Sequence, residues 1–178
     1  MDYEVVDNFL LDDELQYLKD LIIKSGKVPF YIRDTVVVDR DQPNWKDLED
    51  TENQHWNYMG VHTAYHQVPK SEYWKMFEQM FFMKFNDVEL VKTPVRVKIN
   101  WYPHTETLRE HGKHKDSWYS HKGAVFMLNT YDGFTRMANG DKIESVENRI
   151  VFFDPINLHN SSTTTNAKGR YTINFNWF

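Results

Sequence analysis

His114-Lys115-Asp116, then Ile150-Val151-Phe152-Phe153-Asp154-Pro155 with His159 just beyond it, then Arg170-Tyr171-Thr172-Ile173-Asn174-Phe175-Asn176-Trp177: these three stretches, taken in order, decide the fold. The last alternates Arg170, Thr172, Asn174 and Asn176 with Tyr171, Ile173, Phe175 and Trp177, the two-residue period of a strand. In an extended backbone residues i and i+2 share a face, so the His114 imidazole and the Asp116 carboxylate can grip one metal ion. His159, arriving from a later strand, completes a set of two imidazoles and one carboxylate. Such a set leaves three positions of an octahedral iron open, room for a chelating ligand and O2. A His-x-Asp pair alone is weak evidence. The ordered set is far more specific, because each element falls where a metal and an anion site share one cavity.

The alternation begins earlier, at Val95. Val95, Val97, Ile99 and Trp101 point one way, and Arg96, Lys98, Asn100 and Tyr102 the other. A polar face on a strand that leads, twelve residues after Tyr102, into the metal motif is expected to line a cavity. Gly123 to Tyr131 and Ile150 to Phe153 read as further strands, with a hairpin turn at Asn139-Gly140. Ahead of the sheet, two amphipathic helices are expected. The first spans about Asp12 to Lys24, with Leu15, Leu18, Leu21 and Ile22 on one stripe and Gly26 beyond its end. The second spans about Ser71 to Phe85, where Tyr73, Trp74, Phe77, Met80 and Phe81 form a packing face. Between them Val36-Val37-Val38 reads as a strand and Asp39 to Asn57 as a polar loop. His55 to His66 has no clean period and reads as a lid, a pocket wall or an ordinary surface loop.

Many short strands, two helices at the front and no regular β-α alternation exclude a doubly wound sheet. The fold class is α+β with a β-sandwich-like barrel. The 178 residues are expected to form one domain, 1–178, with a substantial core. Twelve Phe, ten Tyr and six Trp suit a sheet-rich core and a walled pocket. The absence of Cys excludes disulfides and thiolate metal sites, and agrees with a reducing cytoplasmic setting. No apolar run reaches membrane-spanning length, so no membrane association is expected. A net charge of −5 argues against a broadly basic nucleic-acid surface. Arg109, Lys113, Lys115 and Lys122 read as solvated loop charges, with a local basic patch around the motif as the alternative.

With these residues in view, the chain resembles the Fe(II)/2-oxoglutarate-dependent dioxygenases, in particular their prolyl-4-hydroxylase-like branch. The resemblance is carried by Val5-Val6-Asp7-Asn8-Phe9-Leu10, by Tyr102-Pro103 upstream of His114-Lys115-Asp116, by Phe126-Met127-Leu128-Asn129, and by the His159 to Arg170 tail. It implies a double-stranded β-helix, or jelly-roll, core with the N-terminal helices packed on the major sheet. It also implies Fe(II) held by His114, Asp116 and His159, with 2-oxoglutarate and O2 as co-substrates. Arg170 is then the partner of the distal carboxylate of 2-oxoglutarate, since a guanidinium anchors and orients a carboxylate with two hydrogen bonds. Tyr102 and Thr172 are candidate hydroxyl contacts to the same acid, with Asn100 and Asn174 as weaker ones. The implied reaction hydroxylates a C–H bond of a prolyl or other peptide side chain, or of a small molecule, and converts 2-oxoglutarate to succinate and CO2.

Three rival readings stand beside it. His111, His114 and His121 offer an alternative zinc site, although a spacing of three suits a helix better than a loop. Asn100-Trp101-Tyr102 and Arg170-Tyr171-Thr172 partly resemble elements of the alkylation-repair nucleic-acid demethylases, against which the acidic net charge weighs. A noncatalytic jelly-roll binding protein is the third; loss of a metal ligand would be its signature, and none is missing.

Overall fold

The structure, a computed structural model, describes residues 3–37, 55–88 and 91–178. Its strands, in chain order, are β1 (Tyr3–Val6), β2 (Tyr31–Arg33), β3 (Met59–His66), β4 (Val68–Pro69), β5 (Pro94–Pro103), β6 (Lys122–Met127), β7 (Phe134–Arg136), β8 (Lys142–Glu144), β9 (Arg149–Phe153), β10 (Asn160–Ser161) and β11 (Gly169–Trp177). The major sheet has the order β1-β9-β6-β11-β5-β3-β2, with β4 paired to β3; the minor sheet is β10-β7-β8. From β5 onward the chain lays β5 and β6 in the major sheet, β7 and β8 in the minor, β9 in the major and β10 in the minor, and returns as β11 between β5 and β6. That winding is the double-stranded β-helix, and it places the polar faces of β5 and β11 side by side inside the roll.

Helices cover the outer face of the major sheet. α1 (Asp12–Lys19) continues as a π-helical turn (Asp20–Lys24), together filling the expected span. The second helix starts at Trp74 rather than Ser71, as α2 (Trp74–Phe77), a wide turn (Glu78–Phe82) and α3 (Met83–Val88). Ser71 is drawn out of it because its hydroxyl accepts the Tyr73 N–H and bonds the buried His62 ring. Leu15, Leu18, Ile22, Trp74, Phe77 and Phe81 pack against Val97, Ile99, Phe126, Ile173 and Phe175 of the sheet. A smaller cluster inside the roll joins Val125, Met127, Val151 and Phe153 to Met137 and Ile143 of the β7-β8 hairpin. Asn139-Gly140 turns that hairpin, with Gly140 at φ +94°, in the left-handed region that favours glycine.

Several boundaries differ from expectation. Val36 and Val37 are not in a strand, and Val38 lies outside the described residues. The pairing partner of β3 is Tyr31–Arg33 instead, and Val36 turns inward against Met59, Val61 and Tyr102. The expected loop from Asp39 falls outside the described residues up to residue 54. Met59–His66 is neither lid nor surface loop but a strand between β2 and β5. It shows no alternation because Met59, Gly60, Val61 and His62 are all buried. The strand expected to run to Tyr131 ends at Met127, after which Leu128 N–H bonds the Tyr171 carbonyl.

Candidate metal and anion site

His114 and His159 lie on facing loop segments outside the named strands and pair with each other as an isolated antiparallel bridge. The segments are stitched together by reciprocal backbone bonds, His114 N–H to the His159 carbonyl at 2.9 Å and the reverse at 3.0 Å. The Asp116 N–H then bonds the Pro155 carbonyl at 2.9 Å, which fixes the third residue against the turn that precedes His159. As a result one ligand atom from each of His114, Asp116 and His159 lies within 4.8 Å of the others. His159 Nδ1–H donates to the Asn157 carbonyl at 2.9 Å, which fixes the tautomer and leaves its Nε2 buried without a partner.

Asp116 is held from behind. Arg96 on β5 pairs with its Oδ1 at 2.8 Å, and Asn176 on β11 donates to its Oδ2 at 3.3 Å. Arg96 and Asn176 are register partners and are themselves bonded, Nε to Oδ1 at 3.0 Å. Burial alone would raise the Asp116 pKa, but Arg96, helped by His159, Lys98 and His114, keeps the carboxyl well below the usual carboxylate range. Burial and the neighbouring His159 bring His114 down to about 4. At neutral pH His114 is therefore a neutral imidazole and Asp116 a carboxylate, the protonation states that ligate a metal.

Above the trio the same cavity is lined by Lys98, Asn100 and Tyr102 from β5 and by Arg170, Thr172 and Asn174 from β11, with Met59 and Val36 as an apolar wall. All five residues expected to contact a co-substrate are thus gathered with His114 and His159. Arg170 is completely buried. Its Nε donates to Ser145 Oγ at 2.7 Å and its Nη2 to Thr135 Oγ1 at 2.9 Å, and it lies 5.4 Å from the centre of the Tyr102 ring. Its Nη1 is buried without a partner, and no carboxylate among the described residues pairs with it. Burial lowers its pKa to about 10, which leaves it charged at neutral pH. The approach is tight: a Cβ on Gly133 would sit 2.9 Å from Arg170 Cδ and 2.5 Å from the Thr163 carbonyl, so only glycine fits beside the guanidinium.

The alternative zinc cluster is not assembled among the described residues. His111 bonds Ser161 Oγ through Nδ1 and stacks on Tyr102, whereas His121 bonds Ser117 and the Tyr119 carbonyl and packs on Phe178. Arg109, Lys113 and Lys115 are exposed loop charges, as expected, whereas Lys122 is exposed at the start of β6 rather than on a loop. Sequence reasoning placed Arg96, Lys98 and Asn176 on polar strand faces without a role. Their shared face with Asn100, Tyr102 and Thr172 was the available signal.

No protein-family model matches the chain, and no curated protein sequence matches it; the likeness found is structural. The viral collagen prolyl hydroxylase of Paramecium Bursaria Chlorella virus-1, in its 2-oxoglutarate complex, superposes with a TM-score of 0.60 at 14% identity, covering 99% of this chain and 95% of that one. A prolyl hydroxylase from Trichoplax adhaerens, in complex with a hypoxia-inducible-factor oxygen-degradation-domain peptide, gives 0.63 at 12% identity over 99% and 83%. The epimerase SnoN of nogalamycin biosynthesis, with Fe3+, α-ketoglutarate and nogalamycin RO, gives 0.69 at 8% identity over 99% and 78%. By fold, then, the chain is a jelly-roll of the kind that these 2-oxoglutarate oxygenases share.

Proposed function

We propose that this chain, as one domain, is an Fe(II)- and 2-oxoglutarate-dependent dioxygenase that hydroxylates a C–H bond of a prolyl or other peptide side chain, or of a small molecule. The observation that carries the reading is Arg170: a fully buried cation with an open Nη1, in the same cavity as two imidazoles backed by a buried carboxylate. A buried charge without a counterion is costly, so the cavity is built for an anion. A dicarboxylic keto acid fits both halves, since one end meets the guanidinium while the other reaches the metal.

In this reading His114, Asp116 and His159 hold the iron. When bound, Fe(II), 2-oxoglutarate and O2 supply the oxidation of the C–H bond, coupled to loss of CO2 and formation of succinate. The chain's own residues supply placement. Ser145 and Thr135 aim the Arg170 guanidinium, and Tyr102, buried against it, covers its face. Asn100 donates to Asn174 at 2.8 Å, which fixes both amides beside Thr172 and offers the keto acid an ordered polar wall. Arg96 and Asn176 hold the Asp116 carboxylate in one orientation. The peptide bound to the Trichoplax prolyl hydroxylase supports a peptide substrate for this fold. No described helix is long and apolar enough to cross a membrane, and a cytoplasmic setting that keeps iron reduced belongs to the same reading.

The test is release of CO2 from carboxyl-labelled 2-oxoglutarate by the Fe(II)-loaded protein in air, with and without prolyl peptides. Release above the level of Asp116→Ala, stimulated by a peptide, is expected. Equal release from the two proteins under every condition rejects the reading.

A further inference from the structure

The polar face of β5 presents Arg96, Lys98, Asn100 and Tyr102 in turn. Arg96 is committed to Asp116 and Asn176, Asn100 to Asn174, and Tyr102 to the neighbourhood of Arg170. Lys98 differs: it lines the cavity beside His114 and His159, yet no hydrogen bond or ion pair ties its ammonium to any described residue. Its register partners are Asn174 on β11 and Thr63 on β3, both neutral. The one carboxylate that acts on it is Asp116, which Arg96 already holds at 2.8 Å, while Arg96 and Arg33 repel it.

Charge balance makes this ammonium informative. With the site loaded as proposed above, the divalent ion, the Asp116 carboxylate, the dianionic co-substrate and Arg170 cancel one another. Arg96 and Lys98 remain in excess. Arg96 is a quarter exposed and shares the Asp116 field. Lys98 is part-exposed and feels Asp116 without an ion pair to it or to any other described residue, and a cation at a cavity wall without a paired counterion is stabilised by an anion that arrives with the ligand. The co-substrate does not serve, because its distal carboxylate has its own fully buried guanidinium on β11 and its other end belongs at the metal. An ammonium is a compact point charge that balances a monoanion, which favours a carboxylate over a phosphate dianion.

We propose that Lys98 is a specificity-determining residue that recognises a carboxylate on the substrate to be oxidised, so that the protein acts on an acidic peptide side chain or a carboxylate-bearing small molecule. The proposal rests on the oxygenase reading and refines its substrate class. Substrates of this kind place the reacting C–H bond within a few bonds of the carboxylate, since Lys98 shares the cavity with the metal-binding imidazoles.

The experiment uses Mn(II) as a redox-inert ion in protein saturated with 2-oxoglutarate, and acetate as the smallest carboxylate probe, with neutral acetamide as its isostere. Paramagnetic relaxation of the probe's methyl protons reports occupancy near the metal. Lys98→Met keeps the unbranched stem and removes the charge. Saturable relaxation of acetate in the parent protein, at least about tenfold weaker affinity in Lys98→Met, and acetamide near its bulk value in both are expected. Equal acetate affinity in the two proteins, acetamide that relaxes like acetate, or no acetate relaxation in the parent overturns the proposal. The affinity for 2-oxoglutarate, measured on the same samples, should change by less than about threefold; a loss of about tenfold would assign Lys98 to the co-substrate and overturn it. A parent protein that takes up Mn(II) but not 2-oxoglutarate fails at a separate step, which rejects the oxygenase reading and this proposal with it.

Discussion

Arg170 and His111 show how single side chains announce a site by what they lack. Arg170 spends two of its nitrogens on Ser145 and Thr135 and keeps a third, Nη1, buried and open, which suits the anion proposed for the cavity. His111 is its neutral neighbour, held by Ser161 at 2.9 Å and flanked by the rings of Tyr102 and Trp56. Burial, and after it the charge of Arg170, brings the His111 pKa down to about 3. An unfolded imidazole titrates near about 6.5, so between those values the unfolded chain binds a proton that native His111 refuses. The native state is therefore fully favoured above about pH 6.5 and loses up to ~1.4 kcal/mol per pH unit from this group as pH falls towards 3. Urea unfolding of the metal-free protein between pH 7 and pH 5 should show a shallower loss in His111→Gln than in the parent. Identical pH slopes would mean that His111 is not held neutral by its burial.

At the scale of elements, the second helix and the sheet it covers are joined through Phe81. Its ring meets those of Phe9, Phe77, Phe85, Phe126 and Phe175, and the residue is fully buried. Truncation to alanine removes a large apolar side chain from a site that cannot collapse around it, so Phe81→Ala should cost about 3–5 kcal/mol in chemical denaturation. A loss below about 1 kcal/mol would place the packing of the helix elsewhere. The elements easiest to read from sequence are those with one dominant burial stripe. Leu15, Leu18 and Ile22 marked α1 and the π-helical turn that continues it, Val97 and Ile99 marked β5, and Ile173, Phe175 and Trp177 marked β11. β3 was hidden because Met59 to His62 are buried without a break, which erases the two-residue period. β2 was hidden for the opposite reason: Tyr31, Ile32 and Arg33 are all exposed on a sheet edge, and the apolar run at Val36 and Val37 drew the reading away from them. Both helices also relax into π turns, a change of hydrogen bonding that leaves the apolar stripe unchanged.

In the molecule as a whole the site is a product of winding. The His-x-Asp motif and His159 are far apart in sequence and meet because two loop segments exchange backbone hydrogen bonds across the mouth of the roll. Metal-ligand chemistry made His114, Asp116 and His159 legible beforehand, the family resemblance singled out Arg170, and strand alternation put Asn100, Tyr102, Thr172 and Asn174 on polar faces. The roles of Arg96, Asn176 and Lys98 were not legible, because they depend on the register in which β11 lies against β5, pairing Asn176 with Arg96 and Asn174 with Lys98. Residue types alone carry no register. In the proposed function, one cavity binds a metal at the trio and a keto acid between that metal and Arg170. Anaerobic addition of Fe(II) and 2-oxoglutarate to the metal-free protein tests it most directly, through the visible metal-to-ligand charge-transfer band. The band should form in the parent protein, vanish in His114→Ala, and require about 30-fold or more additional 2-oxoglutarate in Arg170→Ala, as truncating one partner of a buried charge pair costs about 2–5 kcal/mol. A folded, iron-loaded parent protein that forms no band, or an Arg170→Ala variant with unchanged 2-oxoglutarate affinity, would contradict it.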